Sequence, residues 1–225
     1  MLTIENLAKT FVIHILDRKR IEAFHEVSFC VKKGQFVGIS GHSGSGKSSV
    51  LKCIYRTYLP TSGAIRYRSR DGEADLARLP EQEVIALRIQ EIGYVSQFLR
   101  VIPRVPALDV VAEPLYALGT SRQEGREKAR HLLTRLNIPD RLHDAYPNTF
   151  SGGEQQRINI ARAVIWKPSL LLLDEPTASL DKDSEVRVIE ILRELKREGT
   201  SMVGIFHDPA TMALIADEVF HLETE

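Results

Sequence analysis

The residues most clearly arranged for chemistry lie between positions 41 and 49. From Gly41 to Ser48 the chain runs Gly-His-Ser-Gly-Ser-Gly-Lys-Ser, which matches the spacing of a phosphate-binding loop, or P-loop. Glycine lets the backbone approach a phosphate closely, and the N–H groups at the start of the next helix attract its negative charge. The pattern predicts a nucleoside triphosphate site formed by Gly41, His42, Ser43, Gly44, Ser45, Gly46, Lys47, Ser48 and the adjacent Ser49.

Two side chains of this loop have distinct predicted roles. Lys47 would reach the β- and γ-phosphates, and the hydroxyl of Ser48 would bind Mg²⁺. Residues 35–40 predict a buried strand before the loop, and residues 49–58 predict a helix after it. A strand, a loop and a helix in this order are the context that such a site requires.

Two acidic residues follow an apolar run later in the chain. Residues 170–173 are four leucines, typical of a strand that is covered on both faces, and Asp174 and Glu175 come directly after them. Ligands of α/β proteins bind at the carboxyl edge of the sheet. We therefore expect Asp174 to hold Mg²⁺, directly or through water. Glu175 would act as the general base or polarise the attacking water.

A second glycine-rich helix start occurs at Ser151, Gly152 and Gly153. The N-terminus of a helix attracts anions, yet one nucleotide does not need two such sites from the same subunit. Two chains arranged head to tail could use both sites, because each chain would cover the nucleotide of the other. For this segment taken alone, Ser151 as a plain helix N-cap is the alternative interpretation.

Composition limits the classes of function. The 225 residues contain 30 Lys and Arg against 30 Asp and Glu, so no net positive charge points to direct nucleic-acid binding. No run approaches the roughly 18 apolar residues of a membrane span, which predicts no membrane insertion. Charged residues near the N-terminus argue against an export signal, and Cys30 and Cys53 are expected to be reduced core residues, so we expect a cytoplasmic protein.

Strands alternate with helices along most of the chain. This order predicts an α/β fold, with a mostly parallel core sheet covered by helices on both faces. A helical run at 98–165 interrupts the alternation and is interpreted as an inserted helical subdomain, which separates core segments 1–97 and 166–225. Near the N-terminus, two short strands are expected at 2–7 and 25–31, joined by a charged hairpin loop, and residues 69–77 are expected to be a loop.

The order of these motifs resembles that of the ATP-binding cassette (ABC) ATPases over essentially the whole chain. The resemblance implies one ABC-type nucleotide-binding domain at 1–225, of the P-loop NTPase class, with an N-terminal antiparallel β subdomain. It implies Mg²⁺-dependent hydrolysis of ATP, with ATP and Mg²⁺ as cofactors, in a head-to-tail dimer. The partner would be an identical chain or a sister ABC subunit, and the sequence leaves both possibilities open.

The resemblance also assigns roles to single residues. Phe11 matches the aromatic residue that stacks on adenine, and Gln97 matches the residue that senses Mg²⁺. Asp181, in the segment Ser179–Asp181, matches a loop that communicates across the dimer. His207 matches the histidine that contacts the γ-phosphate, so Lys47, Glu175 and His207 form the expected catalytic set. Two residues depart from the family signature, namely Phe150 in place of leucine and Glu154 in place of glutamine, and we expect activity to survive both.

Residues outside the nucleotide motifs bear on what the ATPase drives. The segments 53–60, 96–111, 150–162 and 204–208 resemble an ABC subunit of the bacterial carbon–phosphorus lyase system. That resemblance implies phosphonate breakdown, a link to the methylphosphonate ribose-triphosphate step and a soluble lyase core complex as partner. Pro103 and Pro106 stiffen a segment lined by Arg100 and Arg104 that would suit docking. The alternative is the ATPase of a lipoprotein-release or macrolide-efflux transporter, whose corresponding segment is similar.

Overall fold

The computed structural model describes residues 1–13, 19–99 and 103–223, and their elements are as follows. The strands are β1 (Leu2–Ile13), β2 (Lys19–Val31), β3 (Phe36–Ser40), β4 (Ser62–Arg68), β5 (Glu73–Asp75), β6 (Ile92–Val95), β7 (Leu170–Asp174), β8 (Ser201–Ile205) and β9 (Glu218–His221). The helices are α1 (Lys47–Ile54), α2 (Glu81–Gln90), α3 (Ala107–Ala117), α4 (Arg122–Arg135), α5 (Gly152–Val164), α6 (Lys182–Arg197) and α7 (Pro209–Ala213), with 3₁₀ turns at Asp140–Leu142 and Pro147–Thr149.

A five-stranded parallel sheet forms the centre of the protein, in the strand order β6-β7-β8-β3-β9. Every residue of β7 is buried, which explains its run of four leucines. Successive side chains of a strand point to opposite faces. Leu170 and Leu172 accordingly pack on the side of the antiparallel sheet, whereas Leu171 and Leu173 pack on the side of helices α3 to α6. The predicted α/β class with a parallel core sheet is confirmed.

A four-stranded antiparallel sheet, in the order β2-β1-β4-β5, covers one side of this centre. A loop was expected between residues 7 and 25, but β1 continues to Ile13 and β2 begins at Lys19. The alternation of apolar residues is weak in this outer part of the hairpin, although its backbone pairing continues through Phe11 and Ile21. The predicted charge cluster at 17–20 lies partly outside the described residues.

Two further expectations are corrected by the structure. Residues 69–77 contain the short strand β5, because Glu73 to Asp75 pair with the end of β4 at the edge of the sheet. Cys53 is buried in α1 as expected, but Cys30 is exposed. Strand β2 turns the side chain of Cys30 outward because its core-facing neighbours are Phe29 and Val31. Burial raises the pKa of the Cys53 thiol to about 11, so this thiol stays protonated at neutral pH.

Helices α3, α4 and α5 lie between β6 and β7, where the sequence predicted a helical insertion. Their apolar residues are continuous with the core of the sheet, since Leu133 of α4 belongs to the same buried cluster as Leu171. The buried carboxylate of Asp109 accepts a hydrogen bond from Arg126, which ties α3 to α4, and another from Tyr116 within α3. We keep the division into a core at 1–97 and 166–225 and a helical subdomain at 98–165 as a proposal.

Two glycines with nearly equal φ allow a test of how closely β1 and β4 approach each other. Gly63 (φ +89°) and Gly119 (φ +87°) both have left-handed backbones, which would cost an alanine about 1–2 kcal/mol. A Cβ at Gly63 would lie 2.4 Å from the carbonyl oxygen of Asn6, whereas a Cβ at Gly119 would meet nothing within 4 Å. We expect Gly63→Ala to lower the free energy of unfolding by about 1–3 kcal/mol more than Gly119→Ala. Urea unfolding of both variants measures this difference, and equal losses would contradict the packing.

Candidate functional site

The P-loop connects β3 to α1 and passes directly beneath the antiparallel sheet. Gly46 caps α1 with φ +89°, and a Cβ at this position would lie 2.1 Å from the carbonyl oxygen of Ala23 in β2. A side chain therefore has no room here, and the left-handed backbone independently favours glycine. The contact fixes the loop against β2, and the exposed backbone of Gly41 to Gly44 forms its outer part.

Polar groups of the loop fit the binding of an anion. The Nζ atom of Lys47 donates hydrogen bonds to the carbonyl oxygens of Gly41 and His42, each at 2.7 Å, so its charge is held within the loop. Ser45 is fully buried, and its hydroxyl has no hydrogen-bond partner among the described residues. A buried polar atom of this kind is costly unless something satisfies it. The loop thus provides both a cradle and a fixed positive charge for a phosphate group.

The two predicted magnesium ligands meet where α1 faces the end of β7. The hydroxyl of Ser48 donates a 2.8 Å hydrogen bond to Oδ1 of Asp174, which is only 4% exposed. Oxygen atoms of this kind are what Mg²⁺ prefers, so the donor set fits the ion. Bound Mg²⁺ would neutralise charge on the phosphate oxygens at this place. The second carboxylate oxygen, Oδ2, accepts a hydrogen bond from the hydroxyl of Tyr94 at 2.9 Å.

Glu175 occupies the turn directly after β7, in an unusual backbone conformation. Its φ of +51° is left-handed, and its N–H donates to the carbonyl oxygen of Ile205 at 3.0 Å, which continues the sheet by one bond. Non-glycine residues with such angles are uncommon and concentrate at functional sites. The side-chain amide of Gln97 donates to Oε2 of Glu175 at 3.3 Å. The structure therefore brings the predicted base into contact with the predicted sensor of Mg²⁺.

These elements surround one open cleft of about 520 Å³. Its lining includes His207, which is exposed and follows β8, together with Lys47 and Glu175. Phe206 also forms part of the wall and was not among the predicted site residues. The residues that line the cleft are Gly41, Ser43, Gly44, Gly46, Lys47, Ser48, Ser49, Glu175, Phe206 and His207.

Phe11 lies outside the lining of this cleft but on the hairpin that contacts the P-loop. It pairs with Ile21 across β1 and β2, two residues from the Ala23 carbonyl that touches Gly46. Its ring packs edge-on against Tyr58 at 5.1 Å, and the Lys9 ammonium lies 4.9 Å from its centroid. The position beside the loop agrees with the expected adenine-stacking role, which stays a prediction.

The second glycine-rich segment also lies outside the cleft of its own chain. Ser151 caps α5 through a capping box, in which its hydroxyl accepts from the N–H of Glu154 and its own N–H donates to the Glu154 carboxylate. Ser151 and Gly152 are exposed, so the N-terminus of α5 is open to a ligand. Gly153 abuts the carbonyl oxygen of Ser179, since a Cβ there would lie 3.0 Å from it. Both interpretations of this segment are therefore compatible, because the cap leaves the helix end accessible.

Polar side chains of α5 connect the start of this helix to the cleft, and they were not predicted from the sequence. Gln156 donates to the carbonyl oxygen of Pro176 at 3.1 Å, just after Glu175. Asn159 donates to the carbonyl oxygen of Ser96 at 2.6 Å, just before Gln97. Both side chains are buried. In the sequence, an amide within an amphipathic helix would have been the signal that could identify them.

Arg157 makes the corresponding connection to Asp181. Its guanidinium bonds the hydroxyl of Ser184 and lies 3.8 Å from the carboxylate of Asp181. Asp181 caps α6 by accepting from the N–H of Ser184 at 2.8 Å, and this bond lowers the pKa of the Asp181 carboxyl. The start of α5 and the start of α6 are thus joined by ionic and hydrogen-bonding contacts.

The phenol of Tyr94 has a raised pKa. Burial and the neighbouring charge of Asp174 both raise the pKa of Tyr94, so the phenol remains a hydrogen-bond donor at neutral pH. No role for Tyr94 was predicted from the sequence. The contact joins β6 to the end of β7 across 80 positions of sequence, and no local pattern encodes such a pair.

Comparison with known proteins identifies relatives of this chain. The sequence model of the family "ABC transporter" matches residues 24–178. The lipoprotein-releasing system ATP-binding protein LolD of Bordetella pertussis is 39% identical over 205 residues, which cover 91% of this chain and 86% of LolD. The macrolide export ATP-binding/permease protein MacB of Syntrophobacter fumaroxidans is 38% identical over 93% of this chain, but the match spans 29% of MacB.

Solved structures show the same fold. The dimeric post-hydrolysis state of the ATP-binding cassette MJ0796, bound to ADP and Pi, superimposes with a TM-score of 0.90. It is 31% identical, and the match covers 99% of this chain and 94% of that one. In the described parts of our chain, no helix is both long and apolar enough to cross a membrane.

The capping box at Ser151 predicts different outcomes for two replacements of Glu154. Glutamine keeps an acceptor for the Ser151 N–H, whereas alanine removes it, so we expect Glu154→Ala to cost about 0.3–1.5 kcal/mol of unfolding free energy and Glu154→Gln almost none. Hydrogen bonds from Ser151 hold the pKa of Glu154 below its ordinary value of 4.5. The stabilisation by the ionised Glu154 carboxylate is therefore present above about pH 4.5. It is lost as the pH falls through the lowered pKa that this carboxyl has in the folded state.

Urea unfolding at pH 7 and near pH 4 measures both effects. Glu154→Gln should show a smaller loss of stability on acidification than the unaltered chain, because the amide does not titrate. Equal stability of the alanine and glutamine variants at pH 7 would show that the box does not stabilise α5.

Proposed function

The chain belongs to the ABC transporter family and is an ATPase that uses ATP with Mg²⁺, and we propose that it powers a transporter of the lipoprotein-release or macrolide-export type. The observation that carries this proposal is the similarity to LolD, which extends over most of both chains. MacB supports the same class, since its ATP-binding part is similar over almost the whole of this chain.

The chemistry would require two chains. The P-loop, Glu175 and His207 line one cleft, whereas the exposed N-terminus of α5 is not part of its lining. A second anion-binding helix end that its own cleft does not use can serve a neighbouring chain. In the proposed head-to-tail dimer, Ser151 and Gly153 of each chain cover the nucleotide of the other. The dimeric state of MJ0796 with ADP and Pi supports this arrangement.

Each residue of the cleft would perform one part of the hydrolysis. Lys47 and His207 would place positive charge or a hydrogen bond at the γ-phosphate, and Glu175 would hold and polarise the attacking water. Ser48 and Asp174 would hold Mg²⁺, with Gln97 beside them through its bond to Glu175. Splitting the γ-phosphate removes a group that both chains bind, so the dimer would open.

The named relatives favour the transporter over the carbon–phosphorus lyase system. Neither LolD nor MacB is a lyase subunit, and the lyase assignment stays a prediction without support from these comparisons. The proposed partners are therefore a second copy or a sister ABC subunit, together with a membrane-embedded transporter component. We propose that the chain works on the cytoplasmic side. Of the segment expected to dock a partner, Phe98 is 71% exposed and Arg104 is also exposed, whereas Arg100 lies outside the described residues.

Replacing Glu175 by glutamine tests the proposed mechanism. The amide keeps the shape of the side chain but cannot accept the proton of water, so we expect ATP to bind normally and hydrolysis to fall by about 10²–10⁴-fold. The variant should also accumulate as a dimer in ATP, which size-exclusion chromatography with light scattering detects. A Glu175→Gln protein that hydrolyses ATP at the normal rate would remove the assigned base.

Affinity purification of the tagged Glu175→Gln chain, with and without ATP, tests the transporter assignment. We expect an integral membrane protein to be recovered in the detergent-solubilised fraction, and mass spectrometry would identify it. Recovery of a soluble lyase complex and no membrane protein would reverse the assignment in favour of phosphonate breakdown. The unaltered chain, purified in parallel, controls for recovery that does not depend on nucleotide.

A further inference from the structure

We propose that Tyr94 is a positioning residue, whose hydroxyl fixes the rotation of the Asp174 carboxylate so that one oxygen is directed at Mg²⁺. The proposal rests on the assigned role of Asp174 as a ligand of the ion. Nothing in the nucleotide-binding motifs of the sequence identified Tyr94, which lies in β6, three residues before Gln97.

The two carboxylate oxygens of Asp174 have different hydrogen-bond donors. Oδ1 of Asp174 meets the hydroxyl of Ser48 at 2.8 Å, and Oδ2 meets the hydroxyl of Tyr94 at 2.9 Å. A carboxylate rotates easily about its last side-chain bond, because this torsion has broad minima. Two donors that approach different oxygens from α1 and from β6 remove this freedom. Among the described residues, Ser48 and Tyr94 are the side chains that hydrogen-bond the Asp174 carboxylate.

The bond from Tyr94 to Asp174 can persist when the ion binds. The oxygen of Ser48 is then engaged with Mg²⁺, so its position depends on the ion. The hydroxyl of Tyr94 bonds the other carboxylate oxygen, Oδ2, which leaves Oδ1 for the ion. Tyr94 therefore holds the carboxylate both before and after binding. Hydrogen bonds to ligating carboxylates are known to orient them in this way.

The ring of Tyr94 is itself held in place by its neighbours. It stacks on Tyr55 of the segment after α1, with centroids 4.8 Å apart and planes at 25°. The guanidinium of Arg88 lies 4.5 Å from the Tyr55 centroid, and its Nε donates to the Tyr55 carbonyl oxygen at 2.9 Å. This stack directs the Tyr94 hydroxyl at Asp174 from a fixed ring, which is the preorganisation that a metal site needs.

Tyr94→Phe removes the hydroxyl and keeps the stacked ring. We measure the thermal stabilisation of the full-length protein by ATP while Mg²⁺ is titrated, because ligand binding to the folded state raises its melting temperature. We expect the Mg²⁺ concentration at half effect to rise about tenfold, while stabilisation by ATP without Mg²⁺ stays unchanged. Steady-state kinetics should show the same shift in Mg²⁺ dependence, with kcat at saturating Mg²⁺ close to that of the unaltered enzyme.

Tyr55→Phe is the matched control, because it removes a hydroxyl from the same stack that does not bond Asp174. It should leave the Mg²⁺ midpoint unchanged. A Tyr94→Phe midpoint equal to that of the unaltered protein overturns the proposal. Equal shifts in both variants also overturn it, since the stack and not the Tyr94 hydroxyl would then be responsible.

A third variant separates this proposal from the assignment of Asp174. Asp174→Asn should raise the Mg²⁺ midpoint more than Tyr94→Phe, because it weakens a ligand and not its orientation. If Asp174→Asn leaves the midpoint unchanged, Asp174 is not a ligand, and both the assignment and the proposal fail. If Asp174→Asn raises the midpoint and Tyr94→Phe does not, only the proposal fails.

Discussion

The contact between Ser48 and Asp174 is the interaction on which the site depends. It joins the first turn of α1 to the carboxyl end of β7, two elements separated by 126 positions in sequence. The parallel sheet makes this contact possible, because it places the ends of β3, β7 and β8 along one edge. The P-loop, the acidic pair and His207 each follow one of these strands. A buried sheet therefore does the positioning, and short loops carry the chemistry.

Helix α5 adds a second constraint. Its buried polar side chains bond the segments that follow β6 and β7, while its N-terminus remains exposed. Buried amides must be satisfied, so these bonds couple the orientation of α5 to the backbone around Gln97 and Glu175. Through Arg157 and Ser184 the same helix also contacts the cap of α6. A movement of the cleft would thus be transmitted to the exposed N-terminus of α5, which in the proposed dimer faces a second chain.

The antiparallel sheet completes the cleft from the other side. Its strand β2 approaches the P-loop so closely that Gly46 cannot carry a side chain. The buried cluster beneath it includes Leu170, Leu172 and the apolar face of α1. The hairpin that carries Phe11 is therefore anchored to the same core as the phosphate-binding loop. This anchoring explains how a hairpin far from the P-loop in sequence comes to contact it through Ala23.

The parts of the site that short segments encode could be predicted without the structure. The glycine spacing of the P-loop, the leucine run before Asp174 and Glu175, and the capped start of α5 each follow from backbone conformation or burial within a short segment. The sequence did not predict the full length of β1 and β2, the exposure of Cys30, or the contacts of Tyr94, Gln156, Arg157 and Asn159. These features depend on pairing or packing with residues remote in the chain, and only the tertiary structure brings those residues together. Burial then decides which polar groups must bond to each other, and no local pattern contains that information.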